Sequence, residues 1–365
     1  MLYTRMGNRS FHATGPSVST VLAVTALILA PIVITLGCSR EPSRESRSAS
    51  LLGTVVTITV YDAPRNVFDA VFDRVREIEA RMSINESNYD DTEILRVNRA
   101  AGKHPVPVSD DTFQVIETAI EYGVITGGAF DVSIAPLILL WGIGTPRERL
   151  PAPDEVTSAR SLVDFSRIVL DSDARTVFLP EPGMGIDVGG IAKGYAVDEA
   201  TRILSEAGVE RGIVDFGGDI MTIGRRPDGR PWRVGVRNPE GTARGNILGV
   251  IESTGETIVS SGPYERYFVK DGVQYHHIFD PETGYPTENN LTSVTVVSAV
   301  SETADALSTA AFVLGLEDGY RLIEQLPGTE GVFVTDGNRV YTTPGLRARF
   351  EITHDEFRDA SREFD

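Results

Sequence analysis

The 365-residue chain contains one cysteine, three lysines and five histidines. A lone cysteine excludes an intramolecular disulfide framework and any cysteine-rich zinc or iron–sulfur site, so a metal here must be held by oxygen or histidine. Positive charge is also scarce: 34 Lys plus Arg face 52 Asp plus Glu, for a net charge of −18. That balance opposes a phosphate backbone, and no nucleic acid partner is expected. There is no internal repeat. With 41% hydrophobic and 24% charged residues the composition fits one large or two modest globular domains and excludes a fibrous or disordered chain.

The N-terminus reads as an address. Arg5 and Arg9 precede an apolar run from Val18 to Gly37 that is long enough to enter a membrane and ends at Cys38. Ile34-Thr35-Leu36-Gly37-Cys38 resembles a lipobox, with Thr35 where Leu is usual. Residues 1–38 are therefore expected to be an export signal whose Cys38 receives lipid, with an uncleaved anchor helix or a buried core cysteine as alternatives. Either of the first two leaves the rest of the chain outside the cytoplasm, on the extracytoplasmic face of the membrane. Residues 39–50, rich in Ser, Arg and Glu, are expected to be a flexible tether because they carry too little apolar surface to fold.

Beyond the tether, β-branched alternation from Leu51 to Asp62 predicts a strand closed by a turn at Ala63-Pro64. Phe68, Val71, Val75, Ile78 and Met82 recur at helical spacing, and Ser109 caps a second helix with a stripe of Phe113, Ile116, Ile120 and Val124. A hairpin turns at 171–173. Strands follow near 211–214, 232–237, 249–252, 265–270 and 293–297, with helices at 191–207 and 303–314. Strands outnumber helices and follow one another directly, which predicts an α+β fold of largely antiparallel sheets with packed helices. Residues 351–365 read as a charged C-terminal tail.

Four clusters stand out as chemistry. Gly127-Gly128-Ala129-Phe130-Asp131 lets the backbone approach a ligand before an aromatic and a carboxylate arrive, although a helix stop with Asp131 as a turn cap explains it equally well. Asp187-Val188-Gly189-Gly190-Ile191-Ala192-Lys193 joins a strand to a helix whose free N–H groups and Lys193 suit an anion; the blander alternative is a close helix–strand crossing. His276-His277-Ile278-Phe279-Asp280-Pro281-Glu282-Thr283-Gly284 puts one imidazole on each side of an extended segment, so only one can face a site. In Glu302-Thr303-Ala304-Asp305-Ala306-Leu307-Ser308-Thr309, Asp305 and Thr309 share a helix face, a hard-ligand arrangement appropriate to Mg²⁺ that helix capping alone would also explain.

Together with Asp215-Phe216-Gly217-Gly218-Asp219 and Ser260-Ser261-Gly262, these motifs make the chain resemble the ApbE family of FAD:protein FMN transferases, from about Leu52 to Gly315. The resemblance implies a T-fold-like α+β architecture over residues 51–350. It also implies an enzyme that splits the diphosphate of FAD with Mg²⁺, releases AMP and attaches FMN to a Thr or Ser of an exported acceptor, typically a subunit of a membrane redox complex. Carried over residue by residue, it gives Leu52, Ala129, Phe130, Asp131, Asp187, Lys193 and Phe279 as FAD contacts. Metal ligands would be Asp305, Thr309 and the carbonyl of Gly190, and His277 would be the base that takes the acceptor's proton. Leu52 replaces the family's usual Met, a change within the apolar class. The segment 82–94 is longer than usual, and either Asn85 or Tyr89 takes the place of the family's aromatic cofactor contact. The rival readings are a Mg²⁺-dependent FAD pyrophosphatase, a flavin-binding lipoprotein without catalysis and a structural envelope protein. No Ser/Thr-Gly-Ala-Thr acceptor motif is present, so the chain is not expected to carry flavin itself.

Overall fold

Segments rich in β-branched residues and separated by tight turns pack alternate side chains on the two faces of a sheet, and seven strands of the main sheet are of this kind. In the computed structural model, which describes residues 42–85, 89–241 and 245–364, the main sheet comprises β1 (Arg44–Leu51), β2 (Thr54–Tyr61), β3 (Gly212–Phe216), β4 (Asp219–Ile223), β5 (Thr257–Ser261), β6 (Leu291–Ser298), β7 (Glu330–Thr335), β8 (Arg339–Thr342) and β9 (Arg358–Asp359). Their spatial order follows their chain order, and every adjacent pair is antiparallel except β8 with β9. Seven helices are described: α1 (Val67–Met82), α2 (Glu93–Arg99), α3 (Asp110–Ile125), α4 (Ala135–Trp141), α5 (Pro153–Arg160), α6 (Ala192–Glu206) and α7 (Ser301–Gln325). The architecture is α+β with largely antiparallel sheets, as the strand succession predicts.

Both faces of the central strands are covered. On β6, Val294 and Val296 pack with Leu307, Ala311 and Phe312 of α7, whereas Val297 turns to the opposite face. There it meets Val234, Val236, Leu248 and Ile251 of a smaller sheet built from Trp232–Arg237, Ile247–Ser253 and Phe350–Ile352. The stripe expected on α1 is buried throughout and packs against α6 and the first strands.

Three expectations need correction. Residues 44–50 of the expected tether form strand β1, because a backbone ladder to β2 needs no apolar side chains. Ser46 pairs with Thr59 and Ser48 with Thr57 through hydroxyl hydrogen bonds of 2.8 and 2.9 Å, and Arg47 lies over the ring of Phe68. The C-terminal tail is likewise packed: Phe357 is buried, Phe364 stacks on Tyr320 with centroids 4.2 Å apart, and the Thr342 amide donates to Ser361 Oγ at 2.9 Å. On α3, Val124 is 69% exposed and Gly123 takes the buried position. A Cβ on Gly123 would lie 2.8 Å from the Phe165 ring, so that face of the last turn admits only glycine. The expected export signal, including Cys38, lies outside the described residues. Among the described residues no helix is long and apolar enough to cross a membrane.

Candidate active site

The site is assembled where two helices begin. The segment before α6 is pinned from α2, where the Asn98 side chain donates to the Ile186 carbonyl at 2.9 Å and accepts from its amide at 2.7 Å. The next residue, Asp187, donates its amide to Val132 O and turns its carboxylate onto Gly189 N–H at 2.6 Å. Gly190 then passes so close to Phe130 that a Cβ would meet Phe130 Cε2 at 3.1 Å and Thr309 Oγ1 at 3.7 Å. Glycine there lets the start of α6 reach the first turns of α7.

Further contacts lock the two helices. The Gly194 amide of α6 donates to Asp305 Oδ2 at 2.9 Å, and the Asp198 carboxylate of α6 accepts from the amides of Ser301 and Glu302, each at 2.9 Å. Those two amides open α7 and would otherwise lack acceptors. Asp305 Oδ1 remains free of protein hydrogen bonds among the described residues, with Lys193 Nζ 3.7 Å away. Ser261, ending β5, places its hydroxyl 2.8 Å from Ser308 Oγ and 3.4 Å from Thr309 Oγ1.

Lys193 is charged and committed. Burial opposes its charge, but Asp219 and Asp305 outweigh burial and hold its pKa above the ordinary lysine value. It is paired with Asp219, which is 1% exposed and whose Oδ2 has no hydrogen-bond partner among the described residues. Burial, helped by the neighbouring Asp305 carboxylate, pushes Asp219 up to about 8 against the pull of Lys193.

The opposite wall comes from the turn at 277–284. His276 is buried, donates Nε2–H to Thr287 O at 3.0 Å and accepts from the Ile278 amide, a structural role. His277 faces the cleft. Its amide and its Nδ1 both point to Arg266 O, at 3.1 and 3.2 Å; a carbonyl only accepts, so the proton sits on Nδ1 and Nε2 keeps its lone pair. Burial first, and then the charge of Arg266, push His277 down to about 3, which keeps the ring neutral at working pH. Phe279 is buried with its ring tilted on Trp141, fixed by the turn in which the Gly284 amide donates to Asp280 O.

One cavity is lined by Ala129, Phe130, Asp131, Asp187, Gly190, Lys193, His277, Phe279, Asp305 and Thr309, so these sequence candidates lie together. Leu52 and Asn85 line a second lobe, which shares Asp187, Gly189, Lys193 and Arg266 with the first. Leu52 sits at a two-residue hairpin tip with Gly53; both have positive φ, 53° and 68°, as a primed turn requires. Tyr89 instead points its hydroxyl to Glu79, so Asn85 rather than Tyr89 borders the cleft. Asp131 also makes the bonds of a turn cap, accepting from Ser133 N–H and O–H and from Phe165 N–H. Asp219, Glu265 and Arg266 were not singled out as site residues; Asp219 had a signal in the Gly217-Gly218 turn before it, whose residues have φ of 67° and 110°. Among the described residues no group of three or more His, Cys, Asp or Glu could hold a metal ion.

The ApbE family pattern matches residues 52–333. The FAD:protein FMN transferase of Klebsiella pneumoniae is 34% identical over 305 residues, covering 84% of this chain and 93% of that protein. Among solved structures, the ApbE protein of Thermotoga maritima superposes with a TM-score of 0.77 at 32% identity, over 84% of this chain and 99% of the other. The flavin transferase ApbE of Vibrio cholerae gives a TM-score of 0.75 at 28% identity, over the same shares.

Proposed function

This chain belongs to the ApbE family, and from that premise we propose that it transfers FMN from FAD to a Thr or Ser hydroxyl of another protein, releasing AMP. The observation that carries the reading is the hydrogen bond from Gly194 to Asp305, which brings two helix starts and their oxygen donors to one point beneath a two-lobed cleft. A dinucleotide is long and jointed at its diphosphate. The apolar wall of Phe130, Ile134, Ile138 and Phe279 suits a flat ring system, and the lobe at Leu52 and Asn85 extends the cleft beyond Lys193.

Asp305 Oδ1 and Thr309 Oγ1, with the carbonyl of Gly190, whose backbone passes beside Thr309, would supply a hard, all-oxygen donor set of the kind Mg²⁺ prefers. When bound, the ion would neutralise charge on the diphosphate. Lys193, oriented by Asp219, offsets the charge of the Asp305 carboxylate at the same place. In the reaction the acceptor oxygen attacks the phosphorus on the FMN side, the bond to the AMP oxygen breaks, and the acceptor proton passes to Nε2 of His277, whose basicity, lowered by burial and Arg266, is raised by the anionic diphosphate bound beside it. The Arg266 carbonyl holds His277 in the tautomer that can take it.

The acceptor is proposed to be an exported subunit of a membrane redox complex, and residues 1–38 an export signal that leaves Cys38 lipidated at the membrane surface; the apolar run ending in Leu36-Gly37-Cys38 supports this. Mass analysis of a co-expressed acceptor tests the reading. A gain of one FMN, less water, on a Thr or Ser is the expected result. Free FMN and AMP with an unmodified acceptor would instead identify a pyrophosphatase, and intact FAD a flavin-binding protein.

A further inference from the structure

The cleft carries two cations, and they are in opposite states. Lys193 is saturated by Asp219 and Asp305. Arg266 has no carboxylate within ion-pair distance among the described residues, although it borders both lobes and its charge is felt at longer range by the Asp187 and Glu265 carboxylates of the same lining. Asp131, another charged group of the lining, spends its oxygens on Ser133 and Phe165. A guanidinium offers five N–H donors in a planar fork that fits two phosphate oxygens at once.

The position of Arg266 is set by its surroundings. Its stem lies against the turn after α4, where a Cβ on Gly144 would be 3.4 Å from Arg266 Cδ. Its carbonyl takes both the amide and the Nδ1–H of His277. The residue that aims the base is thus also the residue whose cationic head makes no ion pair among the described residues, at the junction where the diphosphate of an extended dinucleotide must cross from one lobe to the other.

We propose that Arg266 is a substrate-binding residue whose guanidinium grips the diphosphate of FAD at the junction of the two lobes, beside His277. The inference rests on FAD being the substrate. It assigns to Arg266 an anion contact that Lys193, already paired, does not duplicate, and it makes the cleft select phosphorylated flavins over riboflavin. Charge-assisted hydrogen bonds of this kind change affinity about tenfold to a hundredfold.

Equilibrium binding of FAD and of riboflavin to the metal-free protein, followed by flavin fluorescence, tests it in wild type, Arg266→Gln and Arg266→Lys. Arg266→Gln should weaken FAD at least about tenfold while leaving riboflavin within about twofold, and Arg266→Lys should recover part of the loss. The FAD affinity of wild type should fall more steeply with salt than that of Arg266→Gln. Unchanged FAD affinity in Arg266→Gln, or an equal loss for riboflavin, overturns the proposal while leaving the transferase reading intact. Wild type that binds no FAD without metal would overturn the Arg266 contact alone, and wild type that also releases no AMP from FAD once Mg²⁺ is added would overturn both.

Discussion

The amide of Gly194 donates to Asp305 Oδ2 at 2.9 Å across 111 residues of sequence. One carboxylate oxygen is thereby fixed by the first turn of α6, and the other is left facing the cleft near Lys193. Only glycine permits the approach, because a Cβ at residue 194 would lie 2.4 Å from the Ser301 carbonyl oxygen.

Asp305→Ala removes a carboxylate whose charge matters most as the diphosphate bond breaks. AMP release from FAD should fall at least about a hundredfold, with FAD affinity changing far less. Chromatographic quantification of AMP, beside a flavin-binding titration, checks both numbers. AMP release at the native rate would show that the reaction does not depend on this carboxylate.

Gly194→Ala forces a methyl into backbone atoms of Ser301 and Glu302, which cannot move like a side-chain tip. The two helices must separate, at a cost of about 1–3 kcal/mol in unfolding free energy. Urea denaturation measures the loss, and transfer activity should drop with it because Asp305 loses its partner. A variant as stable and as active as wild type would mean that the helices do not meet this closely in solution.

His277→Ala should lower transfer by about 10²–10⁴-fold while FAD binding persists, since the imidazole acts on the acceptor proton and not on the flavin. His276→Ala offers the contrast: its ring bonds Thr287 O and the Ile278 amide inside the protein, so its loss should appear first as lower thermal stability. Equal kinetic damage from both substitutions, at equal stability, would remove the distinction between them.

Glu302 is 7% exposed and its Oε1 has no hydrogen-bond partner among the described residues. Burial, then the nearby Asp198 and Asp305 carboxylates, raise its pKa from the ordinary 4.5 to about 8. A carboxyl whose folded pKa is raised binds its proton more tightly in the folded chain. Its stability contribution is complete below about pH 4.5 and is lost as pH rises through about 8. Glu302→Gln, which stays neutral, should therefore be more stable than wild type at pH 8–9, by on the order of 2 kcal/mol, with the difference vanishing toward pH 5. Denaturation curves in chelator at both pH values decide it.

Local patterns in the sequence were enough for the α+β class, the buried stripe of α1 and the motifs that line the cleft, because each rests on periodicity or turn chemistry within a few residues. Strand β1 and the packed C-terminus escaped such reading. Ser and Arg residues at 44–50 look like tether until β2 supplies a ladder, and Phe364 looks like the end of a tail until Tyr320 lies under it. Val124 was misplaced for the same reason, since the outward turn of that helix end is set by Phe165, some forty residues away.

The amino-acid order alone determined which residue types are available for anion, metal and proton chemistry, and it placed each in a turn or a helix start. Tertiary structure decided which of them meet. It committed Lys193 to Asp219, turned His276 inward and His277 to the cleft, and left Arg266 without an ion-pair partner among the described residues at the junction of the lobes. Partnership of charges depends on approach distance and burial, and both are properties of the packed chain that no short stretch of sequence contains.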